Sequence, residues 1–298
     1  MAMARERTAD RRLSSSASRL IAGALVALAF GLSGCTDEDV ERTADEARQQ
    51  AADVRDRAER LRRDAEGVRE VLEDIEQAVP AASRPAPSSS GRTERSEVAT
   101  YLEEVIESID VYWTETLTRA GRREPRVGFV TVEPGGAART GCDVIADDTA
   151  AFYCTGDDTI YISEQLASDL WKGINDDFPG QRAGYGQAVG DFGLAYVVAH
   201  EYAHNVQSEL GFYDLRPDGG VKAFELQADC MAGLWGNSVY RAGKIKPGDV
   251  EEAMSTALAA GDFDYSNEQH HGTPQERRAA WLRGYETGNP ARCQELVT

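Results

Sequence analysis

Two of the four histidines in this 298-residue chain lie four positions apart, in the segment "VVAHEYAHNVQ" at positions 197–207. Residues with this spacing project from one side of a helix, so His200 and His204 can place two imidazole nitrogens on one zinc ion. Glu201 would then face the open coordination position as a general base. The alternative is a polar helix with coincidental histidines. The apolar residues before the motif argue against it, because they predict a buried helix, in which unpaired histidines are costly.

A catalytic zinc ion needs a third protein ligand and leaves its fourth position for water. The best source is "VKAFELQADCMAGLW" at positions 221–235, where Glu225 lies 21 residues after His204. This spacing lets one helix end near Gly211 and a second helix return beside it. Asp229 lies one turn beyond Glu225 and would accept the free N–H of a ligand histidine, which fixes the tautomer of that histidine. Acids at this spacing usually line a solvated face, so their position after the two histidines is what favours a metal role.

Three segments, "HEYAHNVQ", "ELQADCMAGLW" and "HGTPQERRAAWLRGYETG", together resemble the bacterial putative neutral zinc metallopeptidase family. That family is similar to gluzincins such as thermolysin in its two histidines and downstream glutamate. The resemblance runs from about Ser96 to the C-terminus and leaves out the segment before it. It implies a zincin-type peptidase domain in which His200, His204 and Glu225 bind zinc and Glu201 is the catalytic base. Proteins of the family typically carry an N-terminal membrane anchor.

The chemistry expected of such a site is metal-assisted hydrolysis of peptide bonds. Zinc would polarise the scissile carbonyl and lower the pKa of its bound water, while Glu201 takes the water's proton and passes it to the leaving amine. A further donor should stabilise the oxyanion, and His271 matches the family's "HGT" position. The alternative for His271 is a structural histidine, since Thr273 and Pro274 are typical of a helix N-terminus. His270 has no counterpart in the family and is expected at the surface.

The elements that position these residues follow from periodicity. Residues 96–120 have the apolar spacing of an amphipathic helix, and a short helix is expected at residues 163–172. The segments "RVGFVTV", "AFYC" and "TIYIS" are predicted strands, separated by Gly and Asp turns. A glycine-rich stretch leads into the motif helix, and helices dominate again from Gly219 onward. A small sheet with a mainly helical remainder predicts an α+β domain, and the resemblance implies that this domain is zincin-like.

Residues 1–34 have the organisation of a secretory signal peptide, with a basic start, a short apolar run and small residues before a cleavage site. The apolar run is too short for a comfortable membrane span. The stretch from Leu32 to Cys35 resembles the bacterial lipobox, in which the cysteine becomes the lipidated, palmitate-bearing N-terminus. We therefore expect a lipoprotein on the extracytoplasmic face of the cell membrane. Ordinary signal cleavage and an uncleaved anchor are the alternatives, and the flanks of Arg11 and Arg12 fit twin-arginine export poorly.

Residues 35–79 are dense in charge and alanine, with apolar residues at alternating steps of four and three, the heptad repeat of a coiled coil. Alanine occupies about half of these positions and would make the apolar contact between paired helices weak. A solvated helical stalk is therefore the alternative to self-association through paired stalks. Residues 80–95 are rich in Pro and Ser, which is typical of a flexible linker. The metallopeptidase-like domain is then expected at residues 96–298.

Four cysteines, Cys142, Cys154, Cys230 and Cys293, remain once Cys35 is assigned to lipid. Exported chains oxidise their thiols, so two disulfides are expected, with three pairings open. Local closure favours pairing Cys142 with Cys154, between two strand candidates. Cys230 with Cys293 would then tie the helix of the third ligand to the C-terminal segment. A cysteine-rich second zinc site is the alternative, but the CxxC spacing of such sites does not occur.

The chain carries 51 acidic and 32 basic residues and a formal net charge of −19. Loss of residues 1–34 would remove five arginines and make the balance more negative. This acidity argues against nucleic-acid binding, which needs basic groups at phosphates, and against electrostatic attachment to anionic lipid. The expected partners are therefore a protein or peptide substrate and a membrane reached through the N-terminal lipid.

A second class of function is a non-catalytic zinc-binding scaffold lipoprotein that recruits a partner in the cell envelope. The intact Glu201 argues against it, because a purely structural metal site has no use for a base. Bound zinc together with chelator-sensitive peptide cleavage would separate the enzyme from the scaffold.

Overall fold

The chain divides into two units, Met1–Glu59 and Arg60–Thr298. In the first unit, the residues that the structure describes are helical and exposed. The expected signal peptide, the expected lipidation site at Cys35 and most of the expected linker lie outside the described residues. Within the described part of the chain, no helix is long and apolar enough to cross a membrane. The computed structural model describes residues 46, 48–56, 59–60, 62–63, 66, 95–215, 220–294 and 296.

Helices account for most of the described residues of the second unit. The first helix confirms the amphipathic helix predicted at 96–120, because Leu102, Val105 and Ile109 on its apolar face are fully buried. The bounds of the helices are α1 (Arg95–Arg119), α2 (Glu164–Lys172), α3 (Pro179–Arg182), α4 (Asp191–Glu209), α5 (Phe212–Leu215), α6 (Val221–Arg241), α7 (Asp249–Ala260), α8 (Pro274–Thr287) and α9 (Ala291–Gln294).

Two small β-sheets accompany the helices. The strands are β1 (Gly128–Val132), β2 (Ala138–Arg139), β3 (Ile145–Ala146), β4 (Ala151–Cys154) and β5 (Thr159–Ser163). The larger sheet has the order β1-β5-β4, in which β1 is parallel and β4 antiparallel to β5. β2 and β3 pair separately as an antiparallel ribbon. The described fold is therefore α+β, as expected, and β4 is an edge strand.

The motif helix α4 lies at the centre of the packing and contacts α1, α2, α6, α7 and β4. It is buried along most of its length, including Leu194, Val198 and Tyr202. The apolar sequence before the motif predicted this burial. The helix ends before Gly211, whose φ of 72° is the left-handed conformation that commonly terminates a helix.

Glycines let α6 and α8 pack at short distance. A Cβ on Gly284 would lie 1.9 Å from the carbonyl oxygen of Cys230, and one on Gly233 would lie 2.2 Å from the carbonyl oxygen of Trp281. These distances are far inside van der Waals contact, so a side chain at either position would push the helices apart. The close packing holds the first turns of α8, including Arg277, against the part of α6 that follows the third ligand.

Both expected disulfides are present. Cys142 pairs with Cys154 at the end of β4, and Cys230 of α6 pairs with Cys293 of α9. The first bridge closes the loop that contains β3, the second strand of the β2–β3 ribbon. The second joins the helix that carries Glu225 to the C-terminal helix.

Candidate metal centre

The two motif histidines and the downstream glutamate meet in space. α4 presents His200 and His204 one turn apart, and α6 presents Glu225 to both. His200 Nε2 lies 3.2 Å from His204 Nε2 and 3.1 Å from Glu225 Oε2. His204 Nε2 lies 3.4 Å from Glu225 Oε1. We call these three side chains the metal centre.

The separations in the metal centre fit zinc. With bonds of about 2.0–2.2 Å from zinc to nitrogen and oxygen, the ligand atoms of a tetrahedral site stand roughly 3.3 Å apart. The three distances between ligand atoms fall close to this value. Two imidazole nitrogens and one carboxylate are also a donor set typical of catalytic zinc, which keeps a fourth position for water or substrate.

The far nitrogen of each histidine has its own acceptor. His200 Nδ1 lies 2.9 Å from Asp229 Oδ1, and His204 Nδ1 lies 2.9 Å from the side-chain oxygen Oε1 of Gln207. Each acceptor favours a proton on Nδ1, so each Nε2 presents a lone pair toward the other. Two lone pairs 3.2 Å apart repel each other unless a cation or proton lies between them. The hydrogen bonds of the two histidines therefore agree with a cation at this position.

Gln207 is held so that its oxygen faces His204. Its Nε2 donates to the carbonyl oxygen of Phe224 at 2.8 Å and to Oε1 of Gln227 at 3.0 Å. Its Oε1 also accepts the hydroxyl of Tyr213 at 3.0 Å. The sequence analysis missed Gln207, although a glutamine three positions after His204 on the same helical face was a usable signal.

Asp229 contacts a ligand histidine, as expected, and has further hydrogen-bonding partners that were not expected. It is fully buried and accepts the hydroxyl of Tyr196 at 2.6 Å, in addition to its contact with His200. Arg277 of α8 also binds it and contacts the His200 ring, with Nη2 3.3 Å from Nδ1 and 3.2 Å from Nε2. The sequence analysis missed Arg277 as well, because an arginine in the first turn of a helix is ordinarily solvated.

Charge in the metal centre favours a cation. Burial opposes ionisation of Glu225, but His204 and His200 outweigh it and hold the pKa of Glu225 well below its usual range. Burial opposes ionisation of Asp229 too, and Arg277 and His200 reverse this and lower its pKa. Burial and Arg277 disfavour a charged His200, yet the two carboxylates raise the pKa of His200 to about 10. Positive charge between these carboxylates is therefore stabilised.

Glu201 lies between the two histidines on α4 and lines the cleft beside the metal centre. Its Oε2 accepts the backbone N–H of Tyr153 in β4 at 2.9 Å. Burial raises the pKa of Glu201, while His200 and His204 act in the opposite direction. A carboxylate fixed at one oxygen, with a raised pKa, is suited to accept a proton near neutral pH.

The cleft has a volume of about 370 Å³, and its polar lining includes the metal centre, Glu201, His271 and Arg277. β4 borders it as the edge strand of the sheet. A few polar groups among apolar residues are typical of a binding site for an organic substrate. The apolar wall consists of Ala151, Phe152, Phe178, Pro179, Val197 and Ala260.

The two remaining histidines differ in their surroundings. His271 lines the cleft with a half-exposed side chain, and Asp262 Oδ2 lies 2.9 Å from its backbone nitrogen and 3.4 Å from its Nδ1. The expectation that His270 lies at the surface is wrong, because it is 9% exposed and its Nδ1 contacts Asp262. Burial opposes ionisation of Asp262, but the His271 N–H and the His270 ring lower its pKa to about 2. Thr273 caps α8 as predicted, in a capping box with Glu276.

A helix that carries two histidines and an intervening glutamate, with a carboxylate supplied by a second helix, defines the class of zinc metallopeptidases. The chain belongs to one family of that class, described as "Putative neutral zinc metallopeptidase", whose sequence profile matches residues 64–296. The family implies a zinc cofactor, which the donor set of the metal centre fits. The match begins before Ser96, so the family likeness includes the end of the expected stalk, contrary to the sequence analysis.

Relatives occur in distant bacteria. YpfJ of Escherichia coli K12 is 30% identical in an alignment of 217 residues that covers 66% of this chain and 71% of YpfJ. Mb2605 of Mycobacterium bovis is 30% identical in an alignment of 215 residues that covers 62% of this chain and 66% of Mb2605. Both are uncharacterized proteins. No solved structure is detectably similar to the chain.

Proposed function

We propose that this protein is a zinc-dependent peptidase that hydrolyses peptide bonds of proteins or peptides at the outer face of the bacterial cytoplasmic membrane, in a zincin-like domain. One observation carries the proposal. Glu201 lines the same cleft as the metal centre, and a backbone N–H fixes one of its oxygens. A purely structural metal site has no use for such a carboxylate.

The residues of the chain divide the chemistry between them. When bound by His200, His204 and Glu225, zinc supplies a Lewis acid that polarises a carbonyl and lowers the pKa of water. Glu201 accepts the proton of the attacking water and returns it to the leaving amine. Because the N–H of Tyr153 binds Oε2 of Glu201, Oε1 stays available for this proton.

The edge of β4 supports a polypeptide as substrate. The N–H of Tyr153 points away from β5, since it donates to Glu201. Backbone groups alternate in direction along a strand, so the N–H and C=O of Ala151 point to the same side as those of Tyr153. Both residues line the cleft. Because Glu201 takes the N–H of Tyr153, an extended peptide would pair with the backbone of Ala151 and the carbonyl of Tyr153 at this edge.

His271 is proposed to donate a hydrogen bond to the oxyanion that forms during hydrolysis. Asp262 would hold its ring through Nδ1 and leave Nε2 for the substrate. We expect His271→Ala to lower kcat by about 10²–10³, the usual cost of removing one such donor, with zinc content unchanged. An unchanged kcat would assign His271 a structural role.

The location rests on the sequence of residues 1–35, with Cys35 as the lipidated N-terminus and residues 35–79 as a helical stalk. The helical, exposed character of the described residues in the first unit supports the stalk. Metabolic labelling with a fatty-acid probe tests the anchor. Labelling that persists in Cys35→Ser would contradict it.

The peptidase proposal is tested by zinc content and peptide cleavage measured on the same preparation. We expect near-stoichiometric zinc and cleavage of members of an unbiased peptide library. A chelator should abolish the cleavage, and added zinc should restore it. Glu201→Gln is the matched control, since it should bind zinc and cleave nothing. Zinc bound by the parent protein without cleavage of any peptide would favour the alternative, a scaffold that recruits a cell-envelope partner.

A further inference from the structure

Three aromatic side chains form a row on the described surface. Tyr185, Phe263 and Tyr265 are 37%, 39% and 68% exposed. Ring centroids are 5.1 Å apart between Tyr185 and Phe263, and 6.5 Å apart between Phe263 and Tyr265. The last ring packs on the buried His270 at 5.2 Å. We call Tyr185, Phe263 and Tyr265 the aromatic row.

Two anchored loops hold the aromatic row. In the loop after α3, the backbone of Gln187 both donates to and accepts from the hydroxyl of Ser255 on α7, each at 2.8 Å. In the loop after α7, the Asp262 N–H donates to the carbonyl oxygen of Gly272 at 2.9 Å. Rings held in this way lose little conformational entropy when a ligand binds.

The two loops that carry the aromatic row begin close, along the chain, to residues that line the cleft. Phe178 and Pro179 line the cleft where α3 begins, and Tyr185 follows the end of α3. Ala260 lines the cleft at the end of α7, Phe263 follows three positions later, and the same loop returns to the cleft at His271. A polypeptide that leaves the cleft along these two chain segments would meet the exposed rings.

The charge of the loop that carries Phe263 and Tyr265 favours a basic partner. The segment 261–273 contains Asp262, Asp264 and Glu268 and has neither lysine nor arginine. The whole chain is acidic, with a formal net charge of −19. Aromatic faces attract cations, and neighbouring carboxylates add to this attraction. Lysine and arginine side chains satisfy both features, whereas acidic side chains are repelled.

We propose that the aromatic row binds lysine or arginine side chains of the polypeptide substrate at positions outside the cleft. The inference rests on the proposed peptidase function and names the class of substrate, which is a polypeptide with basic residues beside the cleaved segment. The basic side chain would contact the ring faces of Phe263 and Tyr265. Tyr185 would extend this surface toward α3.

The test is an equilibrium measurement on the full chain carrying Glu201→Gln and loaded with zinc. Labelled peptides of equal length differ only in having Lys, Gln or Glu at the same positions, and binding is followed by fluorescence anisotropy. The Lys peptide should bind most tightly. Phe263→Leu with Tyr265→Leu should weaken its binding about fivefold to thirtyfold, because two exposed cation–π contacts are lost while apolar volume remains. Binding of the Gln peptide should change much less.

Tyr240→Leu is the matched control, since Tyr240 is an exposed tyrosine near the C-terminal end of α6 that contacts Tyr285. It should leave binding of the Lys peptide unchanged, and melting temperatures should verify that each variant folds. Three results would overturn the proposal: no binding of the Lys peptide, equal binding of the Gln peptide, or no effect of the paired substitutions. Because no turnover is measured, failure of the parent protein to cleave peptides is a separate result that contradicts only the peptidase proposal.

Discussion

The guanidinium of Arg277 binds both carboxylate oxygens of Asp229, with Nε 2.8 Å from Oδ2 and Nη2 2.9 Å from Oδ1. Both side chains are buried, and the same carboxylate contacts His200. The ion pair therefore connects α8 to the metal centre across 48 residues of sequence.

Arg277→Leu should destabilise the fold strongly, because it leaves the carboxylate of Asp229 buried without its main counter-charge. We expect a loss of roughly 3–5 kcal/mol in the free energy of unfolding, measured by urea denaturation. Adding Asp229→Asn removes the buried negative charge and should recover part of the loss. An unchanged unfolding midpoint in Arg277→Leu would show that the pair is energetically neutral.

Glu201 and Glu225 should separate catalysis from metal binding. Glu201→Gln keeps the size of the side chain and removes the base, so turnover should fall by about 10²–10⁴ or more while zinc content stays constant. Glu225→Ala removes an anionic ligand, so zinc occupancy and activity should fall together. Metal analysis and peptide cleavage on the same samples decide this. If Glu225→Ala held zinc as tightly as the parent, the third ligand would have to be another acid.

Gln207 should tune zinc affinity through the orientation of His204. Gln207→Leu removes the acceptor at Nδ1 and should weaken zinc binding by about 10- to 100-fold, and Asp229→Asn should have a comparable effect through His200. Competition against a chromophoric chelator gives the affinities without any need for activity. An affinity equal to that of the parent protein in Gln207→Leu would remove Gln207 from this role.

Three carboxylates meet where α4 begins, those of Asp191, Asp249 and Glu252. Glu252 Oε2 accepts the backbone N–H of Phe192 at 3.0 Å, and Lys246 Nζ lies 3.5 Å from Asp191. Burial and the hydrogen bond with Asp191 raise the pKa of Glu252 to about 7. The folded protein therefore holds this proton more tightly than the unfolded chain, in which a glutamate has a pKa of about 4.3.

The raised pKa predicts a stability that falls with increasing pH. The contribution of Glu252 is fully present below about pH 4.3 and is lost as the pH rises through about 7. The melting temperature of the parent protein should therefore decrease over this range relative to that of Glu252→Gln, which cannot lose the proton. Differential scanning calorimetry across the range gives both curves. Parallel curves for the two proteins would rule out this role for Glu252.

The motif helix, the third carboxylate and the strands of the larger sheet could be predicted because each leaves a local signal. The spacing of His200 and His204 requires only helical geometry, and alternating apolar residues mark the strands. The expected export of the chain predicted two disulfides, local closure predicted the pairing of Cys142 with Cys154, and Cys230 and Cys293 then remained as the second pair. The ribbon of β2 and β3 was missed because strands of two residues have no periodicity.

Arg277, Gln207 and the buried position of His270 needed the tertiary structure. Arg277 reaches Asp229 only because glycines let α6 and α8 pack closely, and no pattern within either helix reports that distance. His270 is buried by a contact with Asp262, eight residues earlier in an irregular loop. Periodicity reports which face of an element is apolar, but it does not report which polar groups meet across elements.

The bridge between Cys230 and Cys293 acts mainly on the unfolded chain. It closes a loop of 63 residues, whereas the bridge between Cys142 and Cys154 closes one of 12. By the loop-closure relation, the long bridge removes conformational entropy worth about 4 kcal/mol from the denatured ensemble and the short one about 3 kcal/mol. Their sum is comparable to the whole net stability of a typical domain, about 5–15 kcal/mol. Chain produced in a reducing compartment should therefore be unfolded or marginally folded, even with an unaltered sequence and abundant zinc.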